Sequence, residues 1–362
     1  KRTFDCLVEL GWIKVKRGLE VTGVTRVWAS GALAASFDEI GLVWISQNPR
    51  PKDDLVVLNR FENPEGKSKK ARGAKVVMDV PETVEVDNYR TKLREYNSFL
   101  IKHCIAIDVN DEQLSTIANR MKSNKDRNVP DEDKILNMSR TQLRRMFSRG
   151  SMSKGGRFFG GWWQSIPSLY RPHITIDGYQ TVEIDYSSMA LRVIYAQRGH
   201  HVPEDADLYD IGLDDWEGPK DKRRKPIKTY VNAILNDESG RYRLTKDELE
   251  TLGVTQKELK LKLLEHHEVI SDLFNSGIGM DAQFIESNIA SLVMSKLLHE
   301  EILALPIHDS FIVRKGYTSL LDDVMKEAFE EITGAKASVD HEGSRRRDNF
   351  GTPQTEADIK II

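Results

Sequence analysis

The chain has 362 residues, of which 39% are hydrophobic and 30% are charged, and its net charge at pH 7 is −3. This length suits one large domain or two to three smaller ones, with a real core under a heavily charged surface. The charge gives no global sign of nucleic-acid binding, although local basic clusters can still steer a polyanion. Two cysteines, Cys6 and Cys104, exclude a disulfide framework and a cysteine zinc site. No apolar run approaches the length of a membrane span.

The first 60 residues predict a small module of their own. FDCLVELGWIKVKRG predicts a helix and a short strand, and TRVWASGALAASFDEIGLVWIS predicts a strand, a helix and another strand. Helix, basic hairpin and helix outline a winged-helix module, and an accessory α+β cap without a ligand is the alternative. A polar, basic stretch follows and predicts an exposed linker or hairpin. Because the chain starts at Lys1 in mid-pattern and without a Met, we expect a fragment of a longer protein.

The rest of the chain alternates between helical and strand patterns. From Asp87 to about Arg149 the pattern is helical, and SRTQLRRMFSRG continues it. GGRFFGGWWQ then opens a stretch rich in aromatic and β-branched residues, which predicts strands. A second helical region precedes the strand pattern of LALPIHDSFIVRK, and YTSLLDDVMKEAFEEITG predicts a final amphipathic helix.

A strand that ends in a carboxylate marks the first candidate site. VEIDYSSMALRVIYA predicts a hydrophobic strand, a Tyr-Ser-Ser turn and a helix with an apolar face, and Asp185 ends the strand. A buried carboxylate without a partner is costly. Asp185 therefore either caps the helix that follows or faces a cleft and holds a positive group.

His308 and Asp309 form the second candidate site. They interrupt two short apolar strand halves, which is typical of a hairpin whose turn carries polar groups; a turn satisfied by its own hydrogen bonds is the alternative. If this hairpin pairs with the strand of Asp185, two carboxylates lie close and repel unless one is protonated or a cation lies between them. Mg²⁺ suits such a pair, because it binds a few carboxylates, waters and substrate phosphates. Two such ions activate an attacking hydroxyl and stabilise the leaving oxygen in phosphoryl transfer.

A basic helix is predicted between the two aspartates. In KDKRRKPIKTYVNAILN, the residues Arg224, Lys228, Asn232 and Asn236 recur every four positions and share one helix face. Pro226 is predicted to lie in the first turn, where its missing N–H costs little. An Arg followed one turn later by a Lys suits a triphosphate, which takes one bidentate fork and one point charge. A solvated basic face is the alternative.

The order of these three stretches resembles motifs A, B and C of the family A DNA polymerases and the related single-subunit phage-type RNA polymerases. DYSSMALR is similar to the Asp-Tyr-Ser-x-x-Glu-Leu-Arg of motif A, and IHDSF to the His-Asp-Ser version of motif C in the RNA polymerase branch. GGRFFGGWWQ resembles the Gly-Arg-x-Tyr strand before motif A, and FIESNIASLVMSKLL the helix before motif C. The resemblance covers about residues 137–330, and motif B is its loosest part.

The resemblance implies an α+β right-hand polymerase with an antiparallel palm sheet and reduced helical fingers. The expected regions, in chain order, are a winged-helix-like module (1–60), a linker or hairpin (61–88), a helical thumb-like region (89–154), a palm with motif A (155–215), fingers helices with motif B (216–300), and a palm with motif C and a C-terminal tail (301–362).

The same resemblance implies a set of site residues. Asp185, Asp309 and the backbone carbonyl of Tyr186 would hold two Mg²⁺ ions, which Mn²⁺ could replace, and Lys228 would act catalytically at the leaving pyrophosphate. The implied nucleotide-binding residues are Arg224, Lys228, Asn232, Asn236, Ala190 and Tyr186. The implied contacts to the nucleic-acid strands are Arg157, Arg171, Arg192 and His308.

Ala190 is the main departure from the family. DNA polymerases of the family carry Glu at this position, where it excludes the ribose 2′-hydroxyl, and the RNA polymerase branch carries Gly. Ala removes the bulk of this gate and points to ribonucleotide use; an engineered replacement of a larger residue is the alternative. Asn232 and Asn236 stand where aromatic residues are usual, which puts template-checked fidelity in doubt.

We therefore predict a metal-dependent, template-directed nucleotidyltransferase, primase- or RNA-polymerase-like, that takes NTPs and a DNA or RNA primer-template. The alternatives are a plain DNA polymerase, a template-independent nucleotidyltransferase and, from another class, an inactive nucleic-acid-binding protein with a polymerase fold. We expect a monomer without membrane contact, in the cytoplasm and in a bacterial, phage or plasmid context.

Overall fold

The computed structural model describes residues 2–16, 26–31, 33, 35, 55–62, 74–123, 134–213 and 220–341. Within them the α-helices are α1 (Arg2–Glu9), α2 (Val84–Leu100), α3 (Asp111–Lys122), α4 (Met189–Gln197), α5 (Lys220–Asn236), α6 (Lys246–Leu252), α7 (Gln256–His266), α8 (Gly279–His299) and α9 (Thr318–Thr333). The strands are β1 (Ile13–Lys16), β2 (Arg26–Ala29), β3 (Val56–Glu62), β4 (Ala74–Met78), β5 (Ile105–Ile107), β6 (Arg144–Ser148), β7 (Ser151–Phe159), β8 (Ile174–Ile176), β9 (Tyr179–Tyr186), β10 (Leu305–Ile307), β11 (Ser310–Arg314) and β12 (Val339–His341).

The described strands form three sheets, and the fold is of the α+β class. The largest sheet has the order β10-β11-β9-β8-β5, with β12 also paired to β9. All of its pairs are antiparallel. A second sheet, β4-β3-β6-β7, is mixed because β3 and β6 run parallel. The strands β1 and β2 form an antiparallel hairpin.

Side-chain caps explain where several helices begin. Thr83 accepts a hydrogen bond from the N–H of Val86 at the start of α2. Complete capping boxes begin α3 at Asn110, α6 at Thr245 and α7 at Thr255. Each cap satisfies backbone donors that the first turn of a helix leaves without a partner.

Buried aromatic residues anchor the hairpin of β10 and β11. Trp163 is fully buried, and its indole N–H donates to the carbonyl of Pro306 at 3.1 Å. Gln164 donates to the same carbonyl at 3.0 Å, and the Tyr96 hydroxyl donates to the carbonyl of Ala304. Three side chains therefore hold this hairpin through hydrogen bonds to its backbone carbonyls.

The element predictions hold in most of the described chain. The strand, turn and helix around Asp185, the hairpin around Asp309, the helices between them and the final amphipathic helix are confirmed. The N-terminal helix and basic hairpin are also present. Residues 36–54 of the N-terminal module and the C-terminal tail (342–362) lie outside the described residues.

Two local predictions are wrong. Within SRTQLRRMFSRG, residues Arg144–Ser148 form strand β6 instead of a helix, because alternate side chains (Leu143, Arg145 and Phe147) are buried and the strand pairs with β3 and β7. Leu143 and Phe147 are fully buried, and tertiary pairing overrides a helical spacing that was only local. Pro226 does not lie in the first turn, because α5 already begins at Lys220 and contains it.

No helix in the described part of the chain combines the length and the apolar character that a membrane crossing needs.

Candidate active site

The strands of the two candidate sites are neighbours in the large sheet. Asp185 near the end of β9 is directly opposite Ser310, the first residue of β11. The backbone N–H of Tyr186 donates to the carbonyl of Asp309 at 3.0 Å. The turn that carries Asp309 therefore lies beside the end of β9, although 124 positions separate the two aspartates.

The turns beside the two aspartates both use the left-handed backbone region. His308 has φ of 57° between β10 and β11, and Ser188 has φ of 54° between β9 and α4. Residues other than glycine rarely adopt this conformation, and it is common where structure is constrained for function. Each turn brings its polar residues to the same end of the sheet.

A cavity of about 210 Å³ opens at this end of the sheet. Its walls come from the turn of Asp309, the start of α4, one face of α5, the start of α8, strand β7 and the loop that holds Tyr209. The lining residues are Arg157, Ser188, Met189, Ala190, Tyr209, Lys228, Asn232, Leu235, Asn236, Gly279, Gln283, Glu286 and Asp309. Six of the predicted site residues, from four separate elements, are thus brought together.

Lys228 and Arg224 flank the ring of Tyr209. The Lys228 ammonium lies 5.9 Å and the Arg224 guanidinium 5.0 Å from the ring centroid. Arg224 also donates to Asp207 at 2.9 Å and does not line the cavity, whereas Lys228 does. Burial raises the pKa of Tyr209 to about 12, and the positive charge of Arg224 opposes this shift. Tyr209 is therefore a neutral hydroxyl within the field of both aspartates.

Arg157 and Glu286 form a paired wall of the cavity. Nε of Arg157 donates to Glu286 at 2.6 Å and its Nη2 at 2.7 Å, a bidentate geometry. Glu286 is 2% exposed. Burial raises the pKa of Glu286 to about 7, and the charge of Arg157 opposes this shift. The guanidinium of Arg157 thus faces Asp309 with one carboxylate already bound to it.

Glu183 organises the sheet face next to the aspartates. It lies two residues before Asp185 on β9, and it accepts hydrogen bonds from Arg171 at 2.9 Å and from the Ser310 hydroxyl at 2.6 Å. Residues opposite each other in antiparallel strands share a face, so Asp185 and Ser310 lie on the same side. Asp340 of β12 is opposite Asp185 on the other edge of β9.

Arg192 does not fit the predicted contact to a nucleic-acid strand. Its side chain is 3% exposed. The guanidinium donates to the backbone carbonyls of Ser187, Val202, Pro203, Glu204 and Ala206. These bonds hold the loop after α4 against the turn that follows β9, and they leave the guanidinium without access to a nucleic-acid strand.

The surroundings of His308 and Tyr186 limit what their side chains can do at the site. Burial, and after it the charge of Arg157, lowers the pKa of His308 to about 4. The ring of His308 packs edge-to-face with that of Phe159, and their centroids are 5.3 Å apart. The Tyr186 hydroxyl donates to the carbonyl of Met325 at 2.5 Å and is buried in the core. Only the backbone of Tyr186 is therefore left for a site role.

Asn232 and Asn236 line the cavity from one face of α5. The amide of Asn236 donates to the carbonyl of Asn232 at 2.8 Å. Gly279 lets α8 approach this amide, because a Cβ on Gly279 would lie 2.5 Å from its oxygen. Among the described residues, none of those that α5 contributes to the cavity wall is aromatic.

The donor atoms at the end of the sheet suit a hard divalent cation. Two carboxylates and a backbone carbonyl are oxygen ligands, and Mg²⁺ uses such a partial set together with water and substrate phosphates. In the residues that the structure describes, no group of three or more His, Cys, Asp or Glu side chains could hold a metal ion by itself. A metal held here would take its remaining ligands from water or from the substrate.

The lining residues that sequence reasoning missed include Glu286, Gln283 and Tyr209. Glu286 and Gln283 stand in a helix whose pattern is mainly apolar, and Tyr209 stands in a loop without a recognisable motif. Glu286 meets Arg157 across 129 positions. One signal was available, because a Glu within an apolar helical face needs a buried partner.

No family model and no curated protein matches this chain. Among solved structures, the POL domain of Pol1 from M. smegmatis, in complex with DNA primer-template and dNTP, is similar to it with a TM-score of 0.36 and 12% identity. The similarity covers 64% of this chain and 51% of that one, so the chain spans about half the length of that domain. So low a TM-score does not establish a shared fold, and the proposal below rests on the geometry of the site.

Proposed function

We propose that this chain is a metal-dependent, template-directed nucleotidyltransferase that extends a nucleic-acid primer and accepts NTPs. The large sheet would be the palm, the helices from α5 to α8 reduced fingers, and α2 and α3 part of a thumb-like region. One observation carries the proposal: β9 and the β10–β11 turn bring Asp185 and Asp309 to one sheet end, beside a cavity that Lys228 lines.

The two carboxylates and the Tyr186 carbonyl would hold two Mg²⁺ ions, which Mn²⁺ could replace. When bound, the ions would lower the pKa of the primer 3′-hydroxyl and stabilise charge on the α-phosphate and the leaving oxygen. The Ser310 hydroxyl donates its one hydrogen bond to Glu183 or to the carbonyl of Ile307, which is 3.2 Å away. It is therefore not engaged with the carboxylates of Asp185 and Asp309.

Residues of the cavity would bind and orient the nucleotide. Lys228 would lie at the β- and γ-phosphates and neutralise the leaving pyrophosphate. Arg224 would orient this face through Asp207 and Tyr209. Ala190, in the first turn of α4, would lie beneath the ribose and leave room for a 2′-hydroxyl.

Contacts to the primer and template would come from residues around the aspartates. Arg157 lines the cavity, and its pairing with Glu286 presents the guanidinium in one orientation. Arg171, which donates to Glu183, and His308, next to Asp309, would add further contacts. Phosphate contacts by such residues fix register and carry no sequence information.

A primer-extension assay tests this proposal. The full chain is incubated with Mg²⁺, a labelled primer and either the complete NTP or the complete dNTP set, with and without template. We expect products whose sequence follows the template. Equal extension without template would replace the proposal with a template-independent nucleotidyltransferase, and tight primer-template binding without any extension would replace it with an inactive binding protein.

A further inference from the structure

A second cavity, of about 180 Å³, lies between α2, strands β6 and β7, and the C-terminal half of α8. Arg145 and Phe158 line it together with Met294 of α8. The exposed side chains of Lys92 and His299 stand at its rim. Its walls are mainly apolar, and the exposed carboxylate of Glu95 also stands at the rim, while Arg145 is the buried charged group of the lining.

Arg145 is a buried cation whose bonds within the described chain all go to neutral groups. It is 2% exposed. Its Nε donates to the carbonyl of Gly156 at 2.9 Å, and its Nη2 to the Ser287 hydroxyl at 2.9 Å and to the amide oxygen of Asn288 at 2.6 Å. Among the described residues, no carboxylate forms an ion pair with it and none accepts a bond from Nη1.

Aromatic rings hold the guanidinium in place. The ring centroid of Tyr89 lies 4.2 Å from it, and those of Phe147 and Phe158 lie at 5.2 and 5.5 Å. Such contacts offset part of the cost of burying the charge, but a charge in apolar surroundings is still costly without a counterion. Burial lowers the pKa of Arg145 to about 10, and the charges of Tyr89 and Glu85 oppose this shift without cancelling it.

We propose that this second cavity binds a small carboxylate whose apolar body is about the size of one ring, with the carboxylate on Nη1 of Arg145. A planar guanidinium with two unused N–H groups matches a carboxylate. A dry cavity of roughly 150 Å³ is known to accept benzene, so one ring fits this volume. Inorganic phosphate fits poorly, because its polar oxygens would face the apolar walls.

This proposal does not depend on the proposed polymerase function, and a binding assay tests it directly. Isothermal titration of the full chain with benzoate should show saturable binding of one molecule per chain. Benzamide has the same shape without the charge, and its affinity should be lower than that of benzoate by at least about ten-fold. Inorganic phosphate should not displace benzoate at equal concentration.

Two variants separate the cavity from general effects. Ser291→Leu fills the cavity from α8 without removing Arg145, and it should abolish benzoate binding while thermal unfolding stays cooperative. Ser98→Leu, at an exposed position of α2 outside the cavity, is the matched control and should bind as the unmodified chain does. Benzoate binding unchanged by Ser291→Leu, or equal binding of benzamide or phosphate, would overturn the proposal.

Discussion

Lys228 and Arg224 stand one helical turn apart on α5, yet their surroundings differ. Lys228 lines the cavity, whereas Arg224 is bound to Asp207, lies over the ring of Tyr209 and does not line the cavity. We therefore predict that Lys228→Ala lowers kcat by about 10²-fold, since a charge that meets the leaving pyrophosphate acts mainly in the transition state. Arg224→Ala should chiefly raise the KM for the nucleotide. Single-nucleotide incorporation kinetics check both values. Equal losses of nucleic-acid affinity with unchanged turnover would instead mark α5 as a phosphate-backbone surface.

Ala190 decides sugar choice in this account. A bulky residue at this position excludes NTPs because it clashes with the 2′-hydroxyl, so a small residue admits NTPs without favouring them over dNTPs. A preference for NTPs would need a polar group that binds the 2′-hydroxyl and is left without a partner when a dNTP binds. We predict that NTPs are accepted at least as well as dNTPs, and that Ala190→Glu shifts use toward dNTPs. The ratio of kcat/KM for one NTP and its dNTP, measured before and after the substitution, checks this. A strong dNTP preference in the unmodified chain would place the gate elsewhere and favour a plain DNA polymerase.

At the residue scale, the sequence could reveal only those site residues that stand in a local pattern. Asp185 and Asp309 interrupt apolar strands, and Lys228 belongs to a periodic helix face. Glu286 and Tyr209 interrupt no pattern of comparable clarity, and only the folded chain shows what they touch. Arg192 was misjudged for the same reason, because the carbonyls that bind its guanidinium belong to a loop whose course local spacing does not predict.

At the element scale, alternation and turn chemistry predicted most of the large sheet. From Val182 to Tyr186, strand β9 alternates apolar and polar residues, whereas β11 carries a buried apolar run from Phe311 to Val313, and both patterns are readable locally. Strand β6 could not be read in this way, since Leu143, Met146 and Phe147 also fit a helix face. Its partner β3 lies more than 80 positions earlier, so the decisive pairing is non-local.

The packing of α4 against the end of α7 predicts a pH dependence of stability. His267 is fully buried, and its Nδ1 contacts the Tyr195 hydroxyl at 2.9 Å. Burial, with the neighbouring charge of His266 second, lowers the pKa of His267 to about 4. In the unfolded chain His267 has a pKa near 6.5, so between about pH 6.5 and pH 4 it is protonated there and neutral in the folded chain. The free energy of unfolding should therefore fall by about 3 kcal/mol as pH drops from about 6.5 to about 4.

Urea unfolding of the unmodified chain and of His267→Gln, at pH 7.5 and at pH 4, measures this contribution. The variant should lose less stability on acidification than the unmodified chain, by roughly the amount above. His201→Gln, at an exposed position, is the control and should follow the unmodified chain. A difference between variant and unmodified chain that stays constant with pH would contradict the assignment to His267.

At the scale of the whole molecule, the central claim is that the fold joins two distant aspartates into one metal-dependent centre. The aromatic anchor of the hairpin, the left-handed turns and the pairing of Glu183 with Ser310 all hold the end of β9 against the β10–β11 turn. These contacts use the core and the backbone. The two carboxylates should therefore be dispensable for folding and necessary for chemistry.

Single-turnover primer extension with Asp185→Asn and Asp309→Asn tests this claim most directly. Both substitutions keep the size of the side chain and remove its charge, and Asp323→Asn on the exposed side of α9 is the matched control. We predict that each of the first two lowers the extension rate by at least about 10³-fold, with primer-template affinity and thermal unfolding nearly unchanged, and that the control extends normally. Extension at an undiminished rate by either variant would contradict the account, because no metal-dependent centre could then rest on these two residues.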